Sequence, residues 1–397
     1  MPTFEPIIPT TSVTAKVQVN SPYKVYYPSD EYGAYTGGLT EATLNVWVYV
    51  GEQGDSNAFV GGNNVDASLL GASGDRPNAP FKTLKSTAVG NLNQEFVSFD
   101  IANIIKSQIK QLFTGEDVVS TAATNSNICV WADYQLTTKI SGVTMIHPLF
   151  QCIAFDGYNY FEDGVNSQSD YIPMISADTI SVIEGEDVYL PILRDTYTSV
   201  VFYTSAGVVV PSAAPSPSAD DFSYDRIQYL SAAGADYVII SYTEDEVATT
   251  KTISINTLSC NKHTPYKVSF LNRFGAIQSM WFNGNNTEST SAKTKEYSRV
   301  ITSSVNGSEY SNSRGSRYKQ RLSSTRAMIL NSGFYSEDCN VTFEELIDST
   351  DTWIEKDGVI LPINIKTSSF NKKTAINDNA INYTINIEYA FNKINNI

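Results

Sequence analysis

Residues 41–50 read EATLNVWVYV, and their alternating pattern predicts a β-strand. Leu44, Val46 and Val48 fall on one face of such a strand, because successive side chains point to opposite sides. Trp47 falls on the other face, which is aromatic instead of charged. Further strands are predicted at residues 95–99, 129–134 and 149–155.

One helix is predicted next to these strands, with Asp100 as its N-cap and Gly115 after its last turn. We expect His147, which precedes Pro148, in a turn. Together these elements predict a β domain with one covering helix over residues 31–175. The apolar stripe of the predicted helix comprises Ile101, Ile104, Ile105, Ile109 and Leu112.

The first 30 residues carry five prolines, which disfavour helix and central strand. They predict an extended N-terminal arm over residues 1–30, with one short strand near residues 14–19. Two interpretations of this arm stay open. It is either a frayed tail or an arm docked on a neighbouring subunit, with Tyr23 among the residues that it could bury.

Residues 176–259 predict a separate small β unit. Turn-forming residues separate its short strands, and this spacing predicts a sandwich similar to immunoglobulin or fibronectin domains. The sequence VPSAAPSPS at residues 210–218 cannot pack a core and predicts an exposed loop. The predicted strands cover residues 179–183, 188–192, 199–204, 237–242 and 250–255.

Residues 260–282, CNKHTPYKVSFLNRFGAIQSMWF, open the last predicted unit, which covers residues 260–397. A strand pattern runs into a turn in which Asn272 fits and Gly275 is free to take positive φ. Arg273 is then displayed at a tight corner, available for a buried ion pair.

The rest of this unit is predicted to be β-rich with some helix. Residues 342–345, TFEE, predict a capping box that opens a short helix, and residues 381–388 predict an alternating strand. The predicted fold class of the whole chain is mainly β, with several β-sandwich-like domains and a few short helices.

A polar segment over residues 281–326 carries a basic cluster in a chain whose formal net charge is −15. Three interpretations stay open: a solvated loop, a contact with an acidic surface of another subunit, or a contact with DNA. Arginine suits interfaces because its planar fork pairs with carboxylates. The acidic balance argues against DNA, whose phosphates need clustered cations. The basic cluster comprises Arg314, Arg317, Lys319, Arg321 and Arg326.

No arrangement of residues in the sequence specifies a reaction. The two histidines, His147 and His263, lie far apart, and the four cysteines form no CxxC pair. Neither a GxSxG elbow nor a phosphate-binding loop is present. We therefore predict a protein that is not an enzyme and has no catalytic residue, metal or cofactor. We also expect no membrane contact, because we find neither a leader peptide nor a long apolar run.

The junction at residues 260–282 resembles one found in virion structural proteins of tailed bacteriophages, especially those that infect Bacteroidota. The resemblance covers about the last third of the chain. Two positions depart from the family pattern: Ser259 stands where an acidic residue is common, and Ile277 where tryptophan is common. The segments that add to the resemblance are EELIDS at 344–349, LPINI at 361–365 and INYTINIE at 381–388.

The resemblance implies a non-enzymatic subunit of the tail, baseplate or neck, made in the host cytoplasm and located in the virion. Its partners would be further copies of itself in a ring-like homo-oligomer and other virion proteins. The predicted interface consists of the basic cluster with Arg273, Tyr23 and Trp47. The alternative is a tail-fibre or adhesin module that binds host glycans through exposed aromatic side chains. A glycan-cleaving enzyme is disfavoured because no paired carboxylates are evident.

Overall fold

The described part of the chain is mainly β, with 23 strands and two short α-helices, which confirms the predicted fold class. The chain divides into two compact units, one of residues 1–257 with 271–278 and the other of residues 258–270 with 279–397. Residues 1–14 of the predicted arm lie outside the described part. The computed structural model describes residues 15–28, 39–50, 82–87, 96–109, 113, 129–140, 142–164, 166, 172–193, 197–212, 227–244, 247–259, 262–301, 312–313, 315–367, 369, 371–372 and 380–393.

The first unit begins with a five-stranded sheet, a two-stranded pair and a short helix. Its elements are β1 (Ala15–Gln18), β2 (Lys24–Pro28), β3 (Leu39–Val50), β4 (Lys82–Thr87), β5 (Phe96–Asp100), α1 (Ala102–Lys106), β6 (Cys129–Ile140) and β7 (Val143–Phe155). The sheet has the order β1-β7-β6-β3-β4, and β2 pairs with β5. Strand β3 confirms the strand predicted at residues 41–50. Its residues Leu44, Val46 and Val48 are fully buried in the core.

Helix α1 contributes Ile105 to the same core, but it is shorter than the predicted helix. Asp100 accepts a hydrogen bond from the N–H of Ala102 at 3.1 Å, but Ile101 occupies the N-cap, so the predicted N-cap is wrong by one residue. The helix ends at Lys106, well before Gly115. The Ser107 hydroxyl donates to the Ile104 carbonyl at 2.7 Å. Such local side-chain bonds compete with helical hydrogen bonding.

Strands β6 and β7 form a long hairpin that runs through the turn predicted at His147, so that prediction is wrong. Gln135 pairs with Leu149 and Thr137 with Ile146. His147 and Pro148 on β7 therefore lie opposite a single residue of β6, Leu136. Two residues against one form a β-bulge. Proline has no N–H to donate, and a bulge is one of the few places where a strand accommodates it.

The rest of the first unit contains a sandwich of two small sheets. Its strands are β8 (Thr179–Ile183), β9 (Asp187–Leu193), β10 (Ser199–Tyr203), β11 (Val209–Val210), β12 (Ile227–Ala233), β13 (Tyr237–Glu244) and β14 (Val247–Leu258). One sheet has the order β11-β10-β13-β14-β8, and the other is β12-β9. Both sheets bury side chains in one core, including Leu190, Leu230 and Ile240. All five predicted strands are present; β11 and β12 were not predicted. The loop predicted at 210–218 lies mostly outside the described residues.

The second sheet system contains the C-terminal strands. Its elements are β15 (Tyr266–Leu271), β16 (Ile277–Phe282), β17 (Thr287–Ser298), β18 (Arg317–Asn331), β19 (Tyr335–Ser336), α2 (Asn340–Asp348), β20 (Thr352–Lys356), β21 (Val359–Ile365), β22 (Ala380–Ile381) and β23 (Thr384–Tyr389). Seven strands form one sheet in the order β16-β15-β20-β21-β23-β18-β17. The strand predicted at 381–388 is split between β22 and β23, but its predicted apolar face is buried.

Helix α2 begins earlier than the sequence predicts. A short 3₁₀ turn, Glu337–Cys339, leads into it, and Cys339 occupies the N-cap without a side-chain hydrogen bond. Thr342 and Glu345 are buried inside the helix, so the predicted capping box is wrong. Phe343 is fully buried, and its ring centroid lies 4.8 Å from that of Tyr383 and 5.3 Å from that of Tyr335. This aromatic cluster anchors α2 in the second unit.

The seven-stranded sheet must curl, because its two edge strands follow one another in sequence. Strands β16 and β17 are joined only by residues 283–286, which reach at most roughly 18 Å. Six strand spacings in a flat sheet would separate the edges by about 29 Å. The contact between Lys356 Nζ on β20 and Glu288 Oε2 on β17, at 2.6 Å, shows the same curvature.

Candidate interaction surface

The polar segment predicted as a possible loop is in fact a long β-hairpin, because β17 and β18 pair from Thr287 and Ile329 to Ser298 and Arg317. Strand β18 pairs on its other side with β23 only over residues 327–331. We call residues 293–298 and 317–323 the ribbon. Among the described residues, no third strand pairs with the ribbon.

The two faces of the ribbon carry different side chains. Residues directly opposite in an antiparallel pair share a face. Tyr297 lies opposite Tyr318, with ring centroids 5.1 Å apart, and the two side chains are 47% and 46% exposed. On the other face Lys319 lies opposite Glu296, and Arg317 lies opposite Ser298. One face therefore carries the two tyrosines together with Lys295, which lies opposite Gln320, and the other face is predominantly basic.

Arg299 extends the aromatic face next to the end of β17. Its guanidinium lies 5.5 Å from the ring centroid of Tyr318, within the range of a cation–π contact. Its backbone N–H donates to the Ser316 carbonyl at 2.9 Å, and its Nε donates to the Gly315 carbonyl at 3.1 Å. These bonds hold a cation and an exposed ring side by side.

Nearer the body of the sheet, Glu288 joins two cations. Lys356 Nζ donates to one carboxylate oxygen at 2.6 Å, and Arg326 Nε donates to the other at 2.6 Å. Arg326 also lies 4.9 Å from the ring centroid of Tyr389. Partial burial acts to raise the pKa of Glu288, but the hydrogen bonds from Lys356 and Arg326 prevail and lower it. Arg326 is thus already engaged within its own chain.

The turn at residues 271–275 has the geometry that the sequence predicts. Asn272 is buried, and its side-chain oxygen accepts from the N–H groups of Phe274 at 3.1 Å and Ala276 at 3.0 Å. Its Nδ2 donates to the Met174 carbonyl at 2.7 Å. Gly275 has φ +81°, as expected for this turn. The Asn272 side chain thus supplies bonds that fix the turn in the first unit.

Two glycines allow this turn to approach β7 closely. A Cβ placed on Gly275 would lie 2.9 Å from the backbone nitrogen of Asp156. A Cβ on Gly157 would lie 2.2 Å from the Arg273 carbonyl oxygen, which accepts a hydrogen bond from the N–H of Tyr158 at 2.8 Å. Any side chain at either position would push the two backbones apart.

Arg273 makes its ion pair within the first unit. Its NH2 group lies 3.3 Å from Asp163 Oδ2, and its guanidinium lies 5.1 Å from the Tyr160 ring centroid. The buried pair expected at this corner is therefore a partly buried one inside the chain. Its predicted role at a subunit interface stays a prediction.

Tyr23 and Trp47, the aromatic residues of the predicted interface, are each only 8% exposed. The Tyr23 hydroxyl lies 3.1 Å from the Tyr134 hydroxyl, within the core of the first sheet. Burial raises the pKa of Tyr23 well above its usual value. These side chains offer little surface to a partner.

The basic cluster is brought together only in part. Arg317 and Lys319 are exposed on one face of the ribbon, while Arg326 belongs to the ion cluster with Glu288. Arg314 lies outside the described residues, and of Arg321 only the backbone, in β18, is described. Sequence reasoning missed Tyr297, Glu288 and Lys356. The register between β17 and β18 reveals Tyr297, and the curl of the sheet reveals the contact of Glu288 with Lys356. Strand β17 carries no apolar face that could have served as a signal.

No family model matches this chain, and no curated protein matches it either. Among the described residues, no group of three or more His, Cys, Asp or Glu side chains is placed to hold a metal ion. The helices of the described part include none that is long and apolar enough to cross a membrane.

Proposed function

We propose that this chain is a non-enzymatic structural subunit of a tailed-phage virion, in the tail, baseplate or neck. The observation that carries the proposal is the β17–β18 hairpin, which ends an otherwise packed sheet with a long exposed edge. Exposed strands of this kind are templates for pairing and docking, and soluble proteins usually shorten or cover them. An assembly subunit uses such an edge for its neighbours.

The proposal of a virion structural protein rests on the resemblance of the last third of the chain to such proteins. Its expected partners are further copies of the chain, in a ring-like oligomer, and other virion proteins. The glycan-binding alternative requires exposed aromatic side chains. Trp47 is buried, so it is not available to stack on a sugar, and this argues against the alternative.

The test has two parts. Mass spectrometry of purified particles from the phage that encodes this chain is expected to detect it in multiple copies. Analytical ultracentrifugation of the purified chain is expected to show oligomers. A strictly monomeric chain that is also absent from the particles would refute the proposal.

A further inference from the structure

The ribbon lacks the burial that normally holds strands in place. Its described side chains are all exposed except those of Thr294 and Ser323, which are partly buried. A two-stranded ribbon is only marginally stable in water unless something covers it. Tyr297 and Tyr318 remain 47% and 46% exposed to solvent. This combination is typical of an element that a partner completes.

The charge of the hairpin identifies the chemistry of that partner. Residues 287–331 contain eight of the chain's 27 Lys and Arg residues but only three of its 42 Asp and Glu residues, a formal charge of +5. The remainder of the chain therefore carries −20. Complementary charge of this size steers association and fixes its orientation.

Uncompensated carboxylates are available outside the hairpin. Glu184 and Glu186 are exposed in the turn between β8 and β9, and Asp187 is exposed at the start of β9. Within the part of the chain that the structure describes, none of the three forms an ion pair. A second copy of this chain thus offers an acidic surface that is complementary in charge to the basic face of the ribbon.

We infer that the ribbon docks onto an acidic surface of a second copy of this chain, in a head-to-tail contact. The inference rests on the proposed function, since it names the partner of the exposed hairpin. Arg317 and Lys319 supply the charge on one face of the ribbon, and Tyr297 and Tyr318 supply the apolar area on the opposite face, so the second copy must contact the ribbon from both sides. Because the two surfaces differ, the contact is heterologous, and repetition of it closes a ring or extends a filament.

The experiment is sedimentation velocity of the full chain over a concentration series. The double variant Arg317→Glu, Lys319→Glu is expected to associate at least roughly tenfold more weakly than the wild type. The matched control is Lys82→Glu, Lys262→Glu, which changes the net charge equally at two exposed lysines without an ion pair in the described region. It is expected to associate within about twofold of the wild type.

Two further measurements separate the contribution of charge to association from that of the apolar contact. Wild-type association is expected to weaken between about 0.1 M and about 1 M NaCl, as the screening length falls from about 10 Å to about 3 Å. The variant Tyr297→Ser, Tyr318→Ser, which leaves the charge unchanged, is expected to weaken association at both salt concentrations. Circular dichroism confirms that each variant is folded.

Three results would overturn the inference: a wild type that stays monomeric at every salt concentration, a charge variant that associates as tightly as its control, or a ribbon that binds duplex DNA instead of protein. A fluorescence-anisotropy titration with a labelled DNA duplex detects the last of these. If the monomeric chain is still found in virions, the inference fails while the proposed function stands.

Discussion

Replacing Gly275 with alanine should destabilise the first unit by about 2–5 kcal/mol. Two effects add up to this range. A non-glycine residue at a left-handed φ such as +81° costs about 1–2 kcal/mol. The new Cβ would also lie 2.9 Å from the Asp156 nitrogen and 2.9 Å from the Phe155 Cβ. Forcing extra volume into a packed site costs about 1–3 kcal/mol.

Gly185→Ala is the matched control, because it isolates the backbone effect. Gly185 has φ +89°, and no atom lies within 4 Å of the position of its Cβ. This variant should lose only about 1–2 kcal/mol. The difference between the two variants therefore measures the close approach of the turn to β7.

Urea denaturation monitored by tryptophan fluorescence gives the free energies of unfolding. Because a chain of two units need not unfold in one step, hydrogen exchange in peptides that cover 152–158 identifies the transition of the first unit. Equal losses in the two variants would show that the turn does not contact β7 as closely as described, and the reasoning would be refuted.

Three further predictions concern buried and paired groups. Asn272→Ala should cost about 2–4 kcal/mol in urea denaturation, because it leaves two buried N–H groups unpaired. Asn272→Asp keeps the acceptor but places a buried carboxylate oxygen where Nδ2 donates to the Met174 carbonyl, so it should be destabilised at least as much; wild-type stability in either variant would contradict this account. The lowered pKa of Glu288 stabilises the fold above the unfolded value of about 4.3, and that contribution is lost as pH falls through the lower folded pKa. The stability difference between wild type and Glu288→Gln should therefore shrink below about pH 4.3, and a difference that persists at pH 2 to 3 would count against the ion cluster. Cys152 and Cys339 are free and buried, so iodoacetamide should modify them only after denaturation. Peptide mass spectrometry detects the labelling, and rapid modification of either cysteine in the native chain would contradict its burial.

The sequence predicts best the strands that bury one or both faces. Strand β3 shows its apolar face in the alternation of Leu44, Val46 and Val48, and β8 has the bounds that the sequence predicts. The turn at residues 271–275 was also predictable, because Asn272 and Gly275 are required by local backbone geometry. In each case the determining interaction lies within a few residues.

Elements determined by distant pairing could not be predicted in the same way. Strand β17 has mostly polar residues on both faces, and its hydrogen bonds to β18 define it; β18 also pairs with β23 and buries Met328 and Leu330. The capping box at Thr342 failed because burial against the aromatic cluster extends α2 towards its N-terminus. The ion cluster around Glu288 joins three strands that are far apart in sequence, and only the curl of the sheet brings them together.

The two units interleave along the chain, and this arrangement has a consequence for synthesis. Residues 258–270 belong to the second unit, whereas residues 271–278 belong to the first. Asn272 and Ile277 form hydrogen bonds with Met174 and Tyr229 of the first unit. A nascent chain that has reached only residue 257 therefore still lacks these bonds. The first unit can complete its fold only after the ribosome has begun to make the second, and no single cut yields both units intact.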